Sequence, residues 1–330
     1  MSRPQAVAPL TRRQRHDLAA LGLRTPSLAP LDTGWGPRVG LHIVTDGDRR
    51  VVLKRLEPGR GSIVERSVKR RSIRREVATY GALEHGRWTH LRHPRLLATD
   101  GRTYLVLSHV APAPRWPPDL GARAVQALFE LHVGLAGAWR GGPAELLRQR
   151  AAWRVLVRAG IGELRRGNRS SYARILRLVA RAYVAIVRAG SPRLAQHGDA
   201  TFGNVIVGAD GGISWIDFER LTTGELLSFR DAVQLAANPA LEGGFDPAIL
   251  RDYTRLWCRT LSRPPAEAEH HLRLALLLHV LHVLHVYPAR ADVRAIYQRF
   301  LDELLRDAAF RAWIQMHEIL PDVSNDTGFP

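Results

Sequence analysis

The sequence predicts an α+β chain in two parts: a small antiparallel sheet with one helix, then a larger, mainly helical portion. Three observations predict it. Two Asp-Gly turns separate apolar runs within residues 27–111, as hairpins require. Pro112, Pro114, Pro117 and Pro118 then interrupt any continuing strand or helix. Beyond them the apolar spacing is helical, apart from residues 195–218.

Each element follows from local pattern. Residues 1–26 read as a basic N-terminal extension with a short helix over 12–21. Strands over 28–31 and 41–45 flank a glycine-rich turn, Gly34 to Gly40, and Asp46-Gly47-Asp48 turns the chain into a strand over 50–56. Residues 64–84 form a helix, because Val68, Ile73, Val77, Tyr80 and Leu83 recur at helical spacing. Strands over 95–98 and 103–109 hinge on Asp100-Gly101. The organisation is thus an extension (1–26), a sheet-bearing lobe (27–111) and a helical lobe (112–330).

Composition bounds the function. With 45% hydrophobic and 7% aromatic residues, the 330-residue chain can bury a core. Cys258 is the single cysteine, so no internal disulfide forms and a reducing compartment is its natural setting. The N-terminus has no apolar run long enough for a signal peptide. The most apolar stretch, residues 272–286, is broken by Arg273, His279, His282 and His285 and is too short for a bilayer. These features point to a cytoplasmic protein. The net charge of +17 is uneven: residues 1–200 carry 36 basic against 14 acidic side chains, and residues 201–250 carry 2 against 7. A positive field attracts nucleotides, anionic membrane surfaces or nucleic acid, and an acidic pocket within it suits Mg²⁺.

The chemistry concentrates in two motifs. His197-Gly198-Asp199-Ala200-Thr201-Phe202-Gly203-Asn204 runs into the apolar residues 205–207, and Ile213-Ser214-Trp215-Ile216-Asp217-Phe218-Glu219 follows the turn Asp210-Gly211-Gly212. Phosphoryl transfer needs such groups: a carboxylate to orient a hydroxyl and accept its proton, and an amide oxygen with a second carboxylate to hold Mg²⁺. A hairpin of the two strands would bring Asn204 and Asp217 to one end.

HGDxxxxN followed by IDFE resembles the aminoglycoside phosphotransferase and choline kinase branch of the protein-kinase-like superfamily. The resemblance implies a bilobal protein-kinase-like fold using ATP and Mg²⁺. In it Asp199 is the catalytic base, and Asn204 and Asp217 are the metal ligands. Kinase-like folds place a lysine on the third strand of the sheet, paired with a glutamate on the following helix. Lys54 stands on that strand and is one of only two lysines beside 46 arginines. A compact ammonium kept there argues for a point charge among phosphates. Glu76 is its best partner, with Glu65 and Glu84 as alternatives. Gly34 and Gly36 lie where a phosphate-covering loop would, although Pro37 removes one N–H donor. The resemblance further implies adenine reading by the backbone of His109 to Ala111, and a structural role for Asp231. The helix ending Glu130-Leu131-His132 resembles a helix of the same family.

Departures from eukaryotic protein kinases narrow the acceptor. The loop reads HGD without the arginine that answers a phosphorylated segment, and Glu219 replaces the last glycine of DFG. Asp231 stands only fourteen positions after Asp217, too few for a peptide platform. A small-molecule or lipid-linked hydroxyl is the better acceptor, with an atypical bacterial protein serine/threonine kinase or a nucleotide-binding pseudokinase as the alternatives. Polycationic aminoglycosides are disfavoured by the basic middle, including Arg148, Arg150, Arg154, Arg158, Arg165, Arg166 and Arg169, which suits an anionic acceptor or peripheral contact with the inner membrane. Lipopolysaccharide-core sugar kinases of the superfamily provide the analogy. Nucleic acid is disfavoured because no aromatics interleave the arginines. The triplet His279, His282 and His285 reads as helix packing rather than as a metal stripe.

Overall fold

The computed structural model describes residues 8–30, 39–56, 62–137, 143–190, 192–224, 228–238, 240–241, 243–286 and 290–321, with side chains over 143–153 left aside. Two compact units emerge. The first comprises Met1–Trp88, Arg92–Arg115 and Ile206–Leu221; the second comprises Thr89–Leu91, Trp116–Val205 and Thr222–Pro330.

The chain begins with α1 (Arg12–Ala20), β1 (Ser27–Pro30), β2 (Val39–Asp46), β3 (Arg49–Leu56) and α2 (Ile63–Glu84), followed by β4 (Leu91–Arg92), β5 (Leu96–Thr99) and β6 (Tyr104–Ser108). The sheet runs β1-β2-β3-β6-β5, with every neighbour antiparallel. Asp46 pairs with Arg49 across a turn in which Gly47 takes φ 57, a left-handed value that glycine adopts without a Cβ clash. In β3, alternation sends neighbouring side chains to opposite faces. Leu53 enters a core with Val44, Val51, Tyr104 and Val106, while Lys54, in register between Leu41 and Leu105, meets α2 from the other side.

The core under this sheet also contains Leu10, Leu18 and Leu23, so residues 8–23 are built into the unit. Thr11 and Gln14 form a reciprocal capping box that starts α1, and Asp17 accepts a hydrogen bond from the Tyr104 hydroxyl. Ser62 and Glu65 form a second capping box at the start of α2. Trp88 donates to the Leu83 carbonyl at 2.7 Å at its end.

The second unit contains α3 (Leu120–Gly134), α4 (Pro143–Arg165), α5 (Arg169–Ala189) and β7 (Leu194–Gln196). The chain then forms β8 (Val205–Val207) and β9 (Ile213–Trp215), which pair with each other, and β10 (Thr222–Gly224). It ends with α6 (Arg230–Ala236), α7 (Pro247–Leu261), α8 (Pro265–His285), α9 (Ala291–Leu304) and α10 (Asp307–Met316). One expectation fails here: β10 is a strand where helix alone was expected, pairing antiparallel with β7 from Thr222 opposite Gln196 to Gly224 opposite Leu194. Three residues are too few to carry a period-2 signal. The turn residues 34–38 lie outside the described residues. Among the described residues, no helix is long and apolar enough to cross a membrane.

Aromatic packing holds the helical unit. Phe229, Tyr253, Trp257 and His271 gather with ring centroids 5.1–6.2 Å apart, and His279 sits edge-on to Phe245 at 5.7 Å. His285 lies 3.4 Å from Glu163. His271 is 1% exposed, and burial, reinforced by His270 and Arg263, pushes its imidazole down to about 3. The unfolded chain takes up this proton near pH 6.5, whereas the folded chain resists it until about pH 3. The unfolded state therefore binds more protons across that window, and stability falls with acidification. Unfolding free energy is expected to drop by on the order of 3 kcal/mol between pH 6.5 and 4 from this residue alone. In denaturant titrations a His271→Phe variant should show a visibly flatter pH slope.

Candidate active site

Strand β3 delivers Lys54 into a buried charged cluster within the first unit. Its Nζ lies 2.6 Å from Glu76 Oε2 and 2.6 Å from Asp217 Oδ1, with all three side chains at least 93% buried. The two rival glutamates are otherwise engaged: Glu65 caps α2, and Glu84 accepts from the Leu96 amide at 3.1 Å. Burial alone would lower the Lys54 pKa, but Glu76, Asp217 and Glu219 outweigh it and raise the value, so the ammonium keeps its charge. Glu76 is pushed up to about 7 by burial, with Lys54 pulling the other way and Asp217 adding repulsion. Two carboxylates share one cation, which leaves the cluster with excess negative charge.

Asp217 follows β9 and adopts φ 66, ψ 59, a left-handed backbone that costs a non-glycine residue of order 1 kcal/mol or more. Its second oxygen, Oδ2, is buried without a hydrogen-bond partner. Such an atom is costly unless a cation or donor completes it. Glu219, two residues on, is held by Lys69 at 3.6 Å and through its carbonyl by Arg75 at 2.9 Å. Phe218 packs edge-on against Tyr80 of α2 at 5.2 Å, which fixes the turn around Asp217 from both sides.

The second unit holds the HGD loop. Asp231, in the first turn of α6, accepts from the His197 amide and from the Gly198 amide at 3.0 Å. Gly198 has φ 84, which a side chain would strain. Asp231 also receives His132 Nε2 at 3.0 Å, and His132 Nδ1 lies 2.8 Å from the Tyr253 hydroxyl. Tyr253 spends its hydrogen on the Ser228 carbonyl at 2.6 Å, so His132 is the donor to its oxygen. Burial would raise the Asp231 pKa, but the His132 hydrogen bond and the electrostatic influence of His132, His197 and Arg230 bring it down to about 2. A buried, fully bonded carboxylate thus clamps the loop from behind.

Asp199 emerges from this loop with Oδ1 accepting from Gln234 Nε2 at 3.0 Å. Asn204 Nδ2 donates to the Asp199 carbonyl at 2.7 Å, and that bond fixes the orientation of the amide. His109, following β6, has its pKa lowered by burial and then by Arg50. The Ala111 carbonyl accepts from the Ala209 amide at 3.1 Å, and the Ala113 amide donates to the Val207 carbonyl at 2.7 Å. Gly34 and Gly36 lie outside the described residues.

Sequence reasoning missed Gln234 and Tyr253. Gln234 stands three residues after Asp231, on the same helix face, which is a usable signal. Tyr253 lies on α7, and nothing in its surroundings marks it.

Replacing Asp231 with asparagine leaves the partners of a buried carboxylate partly unmatched. The variant is expected to lose about 3–5 kcal/mol of unfolding free energy. In the native chain the depressed pKa means that this contribution is present above about pH 4 and fades as pH falls toward 2. Chemical denaturation at pH 7 and pH 3 checks both: the gap between native and variant should narrow in acid.

Comparison with known proteins places these features in a family. No curated protein matches the chain in sequence. Among solved structures, an aminoglycoside phosphotransferase from Alicyclobacillus acidocaldarius shares the fold at TM-score 0.54 and 17% identity, over 96% of this chain and 98% of that one. A microcompartment-associated aminopropanol kinase aligns at TM-score 0.52 and 16% identity, over 92% and 98%. A choline/ethanolamine kinase family protein from Mesorhizobium loti aligns at 0.51 and 19%, over 92% and 98%. A family model described as the phosphotransferase enzyme family matches residues 27–269, and the chain belongs to that family.

Proposed function

We propose that the chain moves the γ-phosphate of ATP onto the hydroxyl of a small-molecule or lipid-linked acceptor. The observation that carries this reading is the Lys54 ammonium held 2.6 Å from both Glu76 and Asp217, with Asp217 Oδ2 left without a hydrogen-bond partner. An ammonium so placed meets the α- and β-phosphates of a nucleotide, and the orphaned carboxylate oxygen fits a hard cation. Asp217 and Asn204 would hold Mg²⁺, which, when bound, neutralises charge on the phosphates. Among the described residues no group of three His, Cys, Asp or Glu side chains forms a metal cage, consistent with a cation that also draws on phosphate and water oxygens.

Asp199 is the base. Gln234 donates to one oxygen of the Asp199 carboxylate and so helps to orient the group for accepting a hydroxyl proton. The clamp from Asp231 keeps the loop in register for that task. Gly34 and Gly36 would cover the phosphates, and the backbone from His109 to Ala111 would read the adenine, within a nucleotide-binding lobe over 27–111 and a catalytic lobe over 112–330. A small acceptor is favoured over a protein because β10, inside the short span between Asp217 and Asp231, is tied to β7. The basic character of residues 101–200, with 16 basic against 5 acidic side chains, favours an acceptor that is anionic or presented at an anionic membrane.

ATP turnover with a panel of neutral, anionic and cationic alcohols tests the reading. Asp199→Ala is expected to lower kcat by about two to four powers of ten while leaving nucleotide binding in place. Equal rates in the two proteins would remove Asp199 from the chemistry. Lys54→Arg should fail to restore activity although charge is conserved, because a planar guanidinium cannot occupy the pocket of a compact ammonium.

A further inference from the structure

Helix α5 has two exposed faces of different chemistry. Leu176, Tyr183, Val184 and Val187 are 39–52% exposed and, at about 100° per residue, fall in one stripe along the helix. Arg174, Arg177, Arg181 and Arg188 occupy the adjoining quarter of the same cylinder. The neighbouring helix α4, which packs on α5, continues the apolar surface with Val157, Ile161 and Leu164, all 46–55% exposed. Over residues 154–189 there are nine arginines and one carboxylate, Glu163, and that carboxylate is buried and bonded to Arg166 at 2.8 Å.

On the arginine side, α5 borders a recess of about 340 Å³ closed by α8 and α10. Arg174, Arg177 and Arg181 face Arg273 and Arg311 there, against only Glu269 and Asp307. Arg273 is fixed in place by the Leu304 carbonyl at 2.6 Å, by Asp307 at 2.6 Å, and by the Phe310 ring beneath it at 4.8 Å. Asp307 also meets Arg181 at 3.9 Å, and Arg311 lies 3.7 Å from Glu269. Five guanidiniums around two carboxylates leave a positive hollow.

We infer that the α4–α5 hairpin docks the protein on an anionic phospholipid surface, with the stripe dipping among acyl chains and the arginines meeting headgroup phosphates. An interfacial helix needs this pairing of an apolar face with flanking cations. Arginine stems can lie along the stripe while their heads stay at headgroup level, and Tyr183 suits the same depth. A second copy of the chain is a poor occupant, because a symmetric pairing would set one arginine field against another. A polynucleotide would use the arginines and leave the stripe wet. The inference shares the membrane setting of the proposed function but rests on the hairpin alone, without reference to phosphotransfer.

The test is co-sedimentation of the full chain, without ATP, with vesicles of phosphatidylglycerol mixed into phosphatidylcholine, or of phosphatidylcholine alone. Binding is expected on the anionic vesicles, weaker by about tenfold or more on the neutral ones and weakening as salt is raised. Val184→Asp with Val187→Asp should reduce binding to anionic vesicles about tenfold, with turnover of a soluble acceptor unchanged. Arg174→Gln with Arg177→Gln should lower binding and its salt dependence together, and serves as the second variant where the aspartates disturb the helix. Absence of wild-type binding, equal binding to both vesicles, or indifference to the stripe overturns the inference. So does self-association abolished by the stripe variants, or displacement of the vesicles by a polynucleotide. Turnover is read separately, so loss of the docking surface and loss of the kinase reading are distinguishable.

Discussion

One buried ammonium shared between two carboxylates organises the first unit. Lys54 arrives from the middle of the sheet, Glu76 from a helix and Asp217 from the turn after β9, so three separated stretches of chain must fold together to bring them within 2.6 Å. Removing Lys54 would strand two carboxylates in a region with little water, where desolvation is costly. The packing of Phe218 on Tyr80 and the grip of Arg75 on the Glu219 carbonyl serve the same end: they hold Asp217 in a backbone conformation it would not choose alone.

The HGD loop has its own foundation. Asp231 is saturated with donors, so the loop above it has little freedom to shift. Asp231 and Asp199 are therefore used differently. Asp231 is buried and spent entirely on structure, while Asp199 is only partly buried and accepts from Gln234. A carboxylate committed to structure can thus hold in place the loop that carries another.

Much of this was legible in residue order. The hairpins showed through Asp-Gly turns, and Lys54 showed because an ammonium persists where almost every other basic residue is arginine. The choice among Glu65, Glu76 and Glu84 was not legible to the same degree: all three lie on one helix, and only caps and packing tell which is free to turn inward. The burial of Leu18 was hidden by the polar run from Arg12 to Asp17, which made the segment read as an extension. β10 was too brief to signal itself. Tyr253 reaches the Ser228 carbonyl across 25 residues, a distance over which spacing carries no information, whereas Gln234 shares a helix face with Asp231.

The pairing of Lys69 with Glu219 has a consequence for chemical labelling. Only two side chains in the protein carry a primary amine, and both lie in the charged network around Asp217, one sealed at 7% exposure and one open at 27%. An acylating reagent that ignores guanidinium therefore has few places to react. Its rate at those nitrogens becomes a direct gauge of how tightly that network is closed.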